Sequence, residues 1–203
     1  MDNLPSEHQD AFLEIGNIGA GHAATALSQM LMRRIDISLP RVNVIDITNF
    51  KDSFPFDDQS AIAVIHSKTS GDVIVDLYAF IAETGIQRFL NLLTFTKTVD
   101  PMKLSEIEKS SLKEIGNILI LHYVSSINTF ISSQLFIYPE VPDLEIGKAK
   151  QLLEKNFKTT TTAGKLLSID VDIYTDEDKI DALMVMVPSE ETLENIISLL
   201  FEK

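Results

Sequence analysis

The sequence predicts an α+β fold made by duplication. Two helix–three strand–helix halves form one shared antiparallel sheet, with two long helices packed on it and approximate two-fold symmetry. Three observations carry this reading. Residues 14–18 read Glu-Ile-Gly-Asn-Ile, and residues 114–118 repeat those five letters one hundred positions later, an offset that also pairs His22 with His122. A period that long marks a domain-sized duplication rather than a solenoid. Helical and strand-like periodicities follow in the same order after each copy. Neither half alone holds enough chain for an independent core, so the expectation is one domain over residues 1–203, with repeats at about 6–96 and 105–202.

Taken in order, residues 6–33 predict a helix, with Ala11, Ile15, Ile18, Ala26 and Met30 as its apolar face and Ser6 as its cap. Residues 34–48 alternate like a strand, with Pro40 marking a bend or an edge. Two β-rich runs, 60–68 and 71–81, flank a turn at Thr69-Ser70-Gly71-Asp72, and residues 83–95 predict a helix. In the second half, Ser105 followed by Glu108 forms a capping-box pattern opening a helix to about residue 133. A strand follows within 134–146, broken by Pro139 and Pro142, then a short extra helix at 147–156 and a loop at 159–164. Strands at 165–174 and 181–187 precede a closing helix at 189–202, capped by Ser189 with Glu190 and Glu191 in its first turn.

Composition excludes several classes. The net charge of −13 argues against gripping nucleic acid or an anionic membrane, because phosphate binding needs clustered Lys and Arg. With no Cys there is no disulfide, thiolate nucleophile, thiolate zinc site or iron–sulfur ligation. That fits a reducing compartment, and the polar, acidic start MDNLPSEHQD carries no signal-peptide pattern, so a cytoplasmic protein is expected. Residues 115–139 lack charge and could span a bilayer by length, yet Asn117, His122, Ser125, Ser126, Asn128, Ser132, Ser133 and Gln134 lie among them. Those groups are costly in hydrocarbon, so a helix buried in protein is expected, without membrane insertion.

The chemistry concentrates in the repeated pentamer. On a helix Glu14 and Asn17 share a side, with Asp10 one turn earlier and Gly21 one turn later; the second helix reads Ser110, Glu114, Asn117, Leu121. Ile15, Ile18, Ile115 and Ile118 point elsewhere, toward the sheet, leaving the Glu/Asn edge for solvent or a partner. Gly16, Gly19, Gly21 and Gly116 each cost about 1 kcal/mol of helix propensity relative to Ala. Close approach of another surface, or tight packing within the fold, would account for them. Asn is neither base nor nucleophile, but its amide donates and accepts hydrogen bonds at once, as needed to hold a water in line with a phosphoryl group. Glu could accept a proton or pair with a partner's Lys. Two Glu and two Asn could also hold Mg²⁺, although hard-cation sites usually gather more carboxylates. His22 and His122 are expected at core or boundary positions, Asp176-Glu177-Asp178 as a solvated hairpin turn, and Met30, Met32, Met184 and Met186 as core filler.

At these residues the chain resembles the CheC family of chemotaxis proteins, within the CheC/CheX/FliY group. The family pattern is Asp or Ser, three residues, Glu, two residues, Asn, then Pro after a fixed interval. It stands here as Asp10-x-x-x-Glu14-x-x-Asn17 with Pro40, and as Ser110-x-x-x-Glu114-x-x-Asn117, where Glu140 takes the Pro place and Pro139 comes one earlier. Two motifs in one chain look like CheC rather than the single-motif CheX. The resemblance implies a phosphatase acting on the phosphorylated response regulator CheY. Asn17 and Asn117 would position the attacking water, Glu14 and Glu114 would engage the regulator, and Asp10 and Ser110 would shape the docking face. It implies no cofactor in this chain, Mg²⁺ belonging to the regulator, and CheD as a further partner. The alternative is a non-catalytic adaptor that binds CheD or phosphorylated CheY. The second copy has Leu119 and Leu121 where the first has Gly19 and Gly21, so its edge is expected to be bulkier.

Overall fold

The computed structural model describes residues 6–39, 41–94, 100–131, 136–157, 164–176 and 179–188. The first half contains α1 (Ser6–Leu31), β1 (Asp36–Ser38), β2 (Val42–Asp46), a short α2 (Phe50–Ser53), β3 (Ala61–Gly71), β4 (Val75–Ala82) and α3 (Glu83–Thr94). The second contains α4 (Glu106–Ile131), β5 (Ile137–Pro139), β6 (Asp143–Lys148), α5 (Ala149–Phe157), β7 (Lys165–Tyr174) and β8 (Lys179–Pro188).

The strands form one antiparallel sheet ordered β1-β7-β8-β4-β3-β5, with β2 beside β1 on β7 and β6 beside β5 on β3. Each half therefore gives its leading strands to the other half: Val44 pairs with Leu167, and Ile65 with Leu144. The seam between the halves is β4 against β8, where Tyr78 faces Val185 and Ala79 faces Met184. Because the leading strands are exchanged, neither half can complete its sheet alone, which is the shared architecture the duplication predicts.

Alternation along the strands loads both faces with apolar side chains. Ile65, Leu77, Ala79, Ile81, Ile169, Val171 and Met184 face one way and meet α1, α3 and α4. Ile62, Val64, Tyr78, Phe80, Leu183 and Val185 face the other way and are covered by Phe50 of α2 and by Leu152, Leu153 and Phe157 of α5. The α4 stretch read as a possible span is buried on this sheet through Ile115, Leu119, Ile120, Tyr123, Val124 and Ile127. Among the described residues no helix is long and apolar enough to cross a membrane.

Several local readings change. Among the described residues each half shows four strands rather than three, because the leading strand is split; in the second half Pro139 ends β5 before β6 begins at Asp143. The expected turn at 69–72 moves to 72–74, because Thr69–Gly71 pair with β5. Gly71 sits at φ +103°, and a Cβ there would lie 2.4 Å from the Phe136 carbonyl oxygen, so the passing strand requires glycine. Helix α2 has no precedent in the sequence reading. The buried stripe of α1 is Phe12, Ile15, Ala23, Leu27 and Leu31, rotated from the predicted face, and Ile18 is 38% exposed. Met184 and Met186 are core, but Met32 is 90% exposed. Pro40, the Ser6 side chain, Glu177 and Asp178 of the acidic turn, residues 159–163 and the closing helix at 189–202 lie outside what is described.

The capping box on α4 forms as expected. The Glu108 carboxylate accepts from the Ser105 backbone N–H (2.8 Å) and hydroxyl (2.7 Å), and the Glu108 N–H donates to Ser105 Oγ (3.3 Å). At the far end of each long helix, one repeat position ties helix to sheet. Ser28 Oγ accepts from Ile35 N–H (2.9 Å), and Asn128 both accepts from Ile137 N–H (3.0 Å) and donates to its carbonyl (2.7 Å). Residues 28 and 128 are one hundred apart, so both helices are anchored by the same device.

Candidate functional site

Helices α1 and α4 pack against one another on the sheet. Where two helices related by a two-fold cross, residues near the axis meet their own counterparts, and His22 and His122 do so edge to face at 6.1 Å between ring centroids. His122 is half-buried, the boundary position expected of it, whereas His22 is exposed. Burial, and then the charge of His22, hold His122 below the ordinary histidine pKa.

The glycines of the motif divide into two kinds. A Cβ on Gly16 would lie 2.5 Å from Leu39 Cδ1, one on Gly19 2.8 Å from the His122 carbonyl oxygen, and one on Gly116 2.5 Å from Ile65 Cγ1. These three serve packing inside the fold. Gly21 has nothing within 4 Å and faces open solvent.

With Ile15 and Ile115 buried at 1% and 0%, each helix is fixed about its axis, and the motif polar groups turn outward. Asp10, Glu14 and Asn17 are exposed, as are Ser110 and Glu114; Asn117 is half-buried. Asn117 Nδ2 donates to Glu114 Oε2 at 3.5 Å, a long contact that only loosely tethers the amide. Both stripes form outward-facing ridges along their helices. A groove of about 830 Å³ lined by Arg41, Asn43, Asp46, Asp52, Lys165 and Asp170 includes no motif residue. Among the described residues no three His, Asp or Glu side chains converge as metal ligands. Leu119 is buried at 3%, so of the two leucines in the second copy only Leu121, 44% exposed, reaches the edge. The sequence reading missed Ile107, 75% exposed on the same side of α4; its seven-residue spacing from Glu114 was the available signal.

Residues 7–44, which hold the first ridge, match the model of the CheC-like family. The chain is 26% identical over 201 residues to the CheY-P phosphatase CheC of Bacillus subtilis, covering 97% of this chain and 95% of that protein. The chain is thus similar to CheC-like proteins, in the case of CheC along nearly its whole length. A second relative is the flagellar motor switch phosphatase FliY of Bacillus subtilis, 34% identical over 140 residues, 68% of this chain and 36% of that protein. Among solved structures, Thermotoga maritima FliY superposes with a TM-score of 0.76 at 21% identity over 98% of each chain, which shows a shared fold.

Proposed function

We propose that this chain accelerates hydrolysis of the aspartyl phosphate on a CheY-type response regulator. The observation that carries the reading is that Asn17 and Asn117 both reach solvent from long, sheet-anchored helices, each with a Glu one turn before it. A ridge is the shape needed to enter a partner's phosphorylated cleft. The names of the two curated relatives, phosphatases both, support the same reading.

In this mechanism the regulator docks on a ridge, with Glu14 or Glu114 engaging a cationic side chain beside the phosphoryl group and Asp10 or Ser110 completing the contact. The Asn amide then holds one water in line with phosphorus. The water oxygen bonds to phosphorus, the bond from phosphorus to the aspartyl oxygen breaks, and both protons of the water leave with the phosphate as dihydrogen phosphate. The aspartate recovers its carboxylate. Positioning supplies the rate gain, since neither Asn titrates nor bonds covalently. The chain contributes no cofactor; Mg²⁺ belongs to the substrate. CheD as a second partner and a cytoplasmic setting complete the proposal.

The test is the decay of phosphorylated regulator with and without this chain, repeated with CheD present. Acceleration at substoichiometric amounts of chain is the expected result. Binding with unchanged decay would replace the phosphatase with an adaptor.

A further inference from the structure

The two ridges differ on either side of their shared pattern. On α4, Ile107, Glu114 and Leu121 recur every seven residues, so they lie nearly in line along one face, about 10 Å apart. Ile107 is 75% exposed and Leu121 44% exposed, while Ser110, Glu114 and the half-buried Asn117 lie between them. Two large apolar groups therefore bracket the polar motif on one continuous surface. On α1 the corresponding positions are Glu7 and Gly21. The space beside Gly21 is empty, Asp10 and Glu14 on that ridge are acidic, and its exposed apolar group, Ile18 at 38%, stands next to Asn17 rather than bracketing the motif from both ends.

We infer that the two ridges dock the phosphorylated regulator differently: α4 through the apolar anchors Ile107 and Leu121, α1 through charge. The inference rests on the proposed phosphatase reading for its occupant, and the anchors are continuous with the motif that reading uses. Exposed apolar side chains flanking a polar centre gain most when a partner covers them, because the area removed from water sets their contribution. A contact carried by Asp10 and Glu14 is screened by salt, whereas one carried by Ile107 and Leu121 is not.

The experiment isolates each ridge by removing the other's amide. In an Asn17→Ala background, Ile107→Ser with Leu121→Gly should raise KM for phosphorylated regulator about tenfold or more while kcat changes little. In an Asn117→Ala background the same pair should leave KM unchanged. Raising salt from about 50 to about 300 mM should raise KM in the Asn117→Ala background more than in the Asn17→Ala background. An unchanged KM in the Asn17→Ala background, or equal salt response of both ridges, overturns the inference. Titration with beryllofluoride-loaded regulator reads docking apart from turnover: two equivalents should bind wild type, and one should be lost or weakened in the Ile107→Ser, Leu121→Gly variant. Loss of that equivalent from a chain that never speeds hydrolysis would uphold the docking and overturn the phosphatase reading. Two undiminished equivalents would overturn the docking alone.

Discussion

The first and second ridges carry the same Glu-Ile-Gly-Asn-Ile on helices fixed to the same sheet, yet their surroundings diverge. Asn17 is exposed, while Asn117 is half-buried and loosely held by Glu114. Gly16 faces the tip of Leu39, where Gly116 faces the β-branched Ile65 of β3. Helix α1 continues past its motif into open space at Gly21, and α4 into Leu121. A duplicated motif preserves which groups point outward, because buried Ile15 and Ile115 set that. What lies beside those groups is decided by positions outside the motif.

The largest difference between the halves should come from the paired glycines. Gly116→Ala drives a Cβ into the Cβ, Cγ1 and Cγ2 of a stiff strand residue, and overpacking of this kind costs about 1–3 kcal/mol. Gly16→Ala overlaps the end of a flexible leucine, touches the Tyr123 ring at an ordinary 3.5 Å and gains helix propensity, so its net effect should be near zero. Urea denaturation of both variants checks this; equal losses would break the contrast.

A smaller effect concerns how α1 ends. Met32 has φ 51° and 90% exposure, and Arg33 N–H donates to the Ser28 carbonyl at 3.2 Å, the closing bond of a Schellman turn. A left-handed methionine costs about 1–2 kcal/mol in backbone strain and here packs on little. Met32→Gly should therefore stabilise the chain by about 0.5–1 kcal/mol, read as a higher denaturation midpoint; a lower midpoint would show that the side chain contributes contacts.

The smallest effect lies at the helix crossing. Folded His122 holds its proton less tightly than the unfolded chain does, so the unfolded state binds more protons as pH falls. The contribution of His122 to stability should thus decline as pH drops through the ordinary histidine value of about 6.5. His122→Gln should flatten this part of the stability profile. His22→Gln should move the His122 midpoint in an NMR titration upward by removing the neighbouring charge. A stationary midpoint would mean that burial alone sets it.

Much of this was legible in the sequence because the duplication shows twice. The order of elements, the Ser105/Glu108 capping box and the outward Glu/Asn edge follow from periodicity and from the repeated pentamer. The breaks in the leading strands were marked by Pro40, Pro139 and Pro142, but the exchange of β1 and β2 onto β7 and of β5 and β6 onto β3, and the meeting of His22 with His122, depend on long-range pairing that no local pattern encodes. The α1 face is rotated because apolar residues surround that helix: Ile18 looks as buriable as Phe12 and Leu27, whereas Met30 does pack against the core. Ile107 went unnoticed because an isolated exposed isoleucine carries no signal until its helix is seen to share a face with Glu114 and Leu121.

The central claim is that the two amides organise the attacking water. The direct measurement is the decay of phosphorylated CheY-type regulator with the Asn17→Ala, Asn117→Ala chain, alongside its affinity for the beryllofluoride-loaded regulator. Asn17 is exposed and Asn117 half-buried with only a long contact to Glu114, so the fold should survive. Loss of stimulated hydrolysis with binding retained within a few-fold is the predicted result. Hydrolysis at the wild-type rate in that double variant would contradict the account.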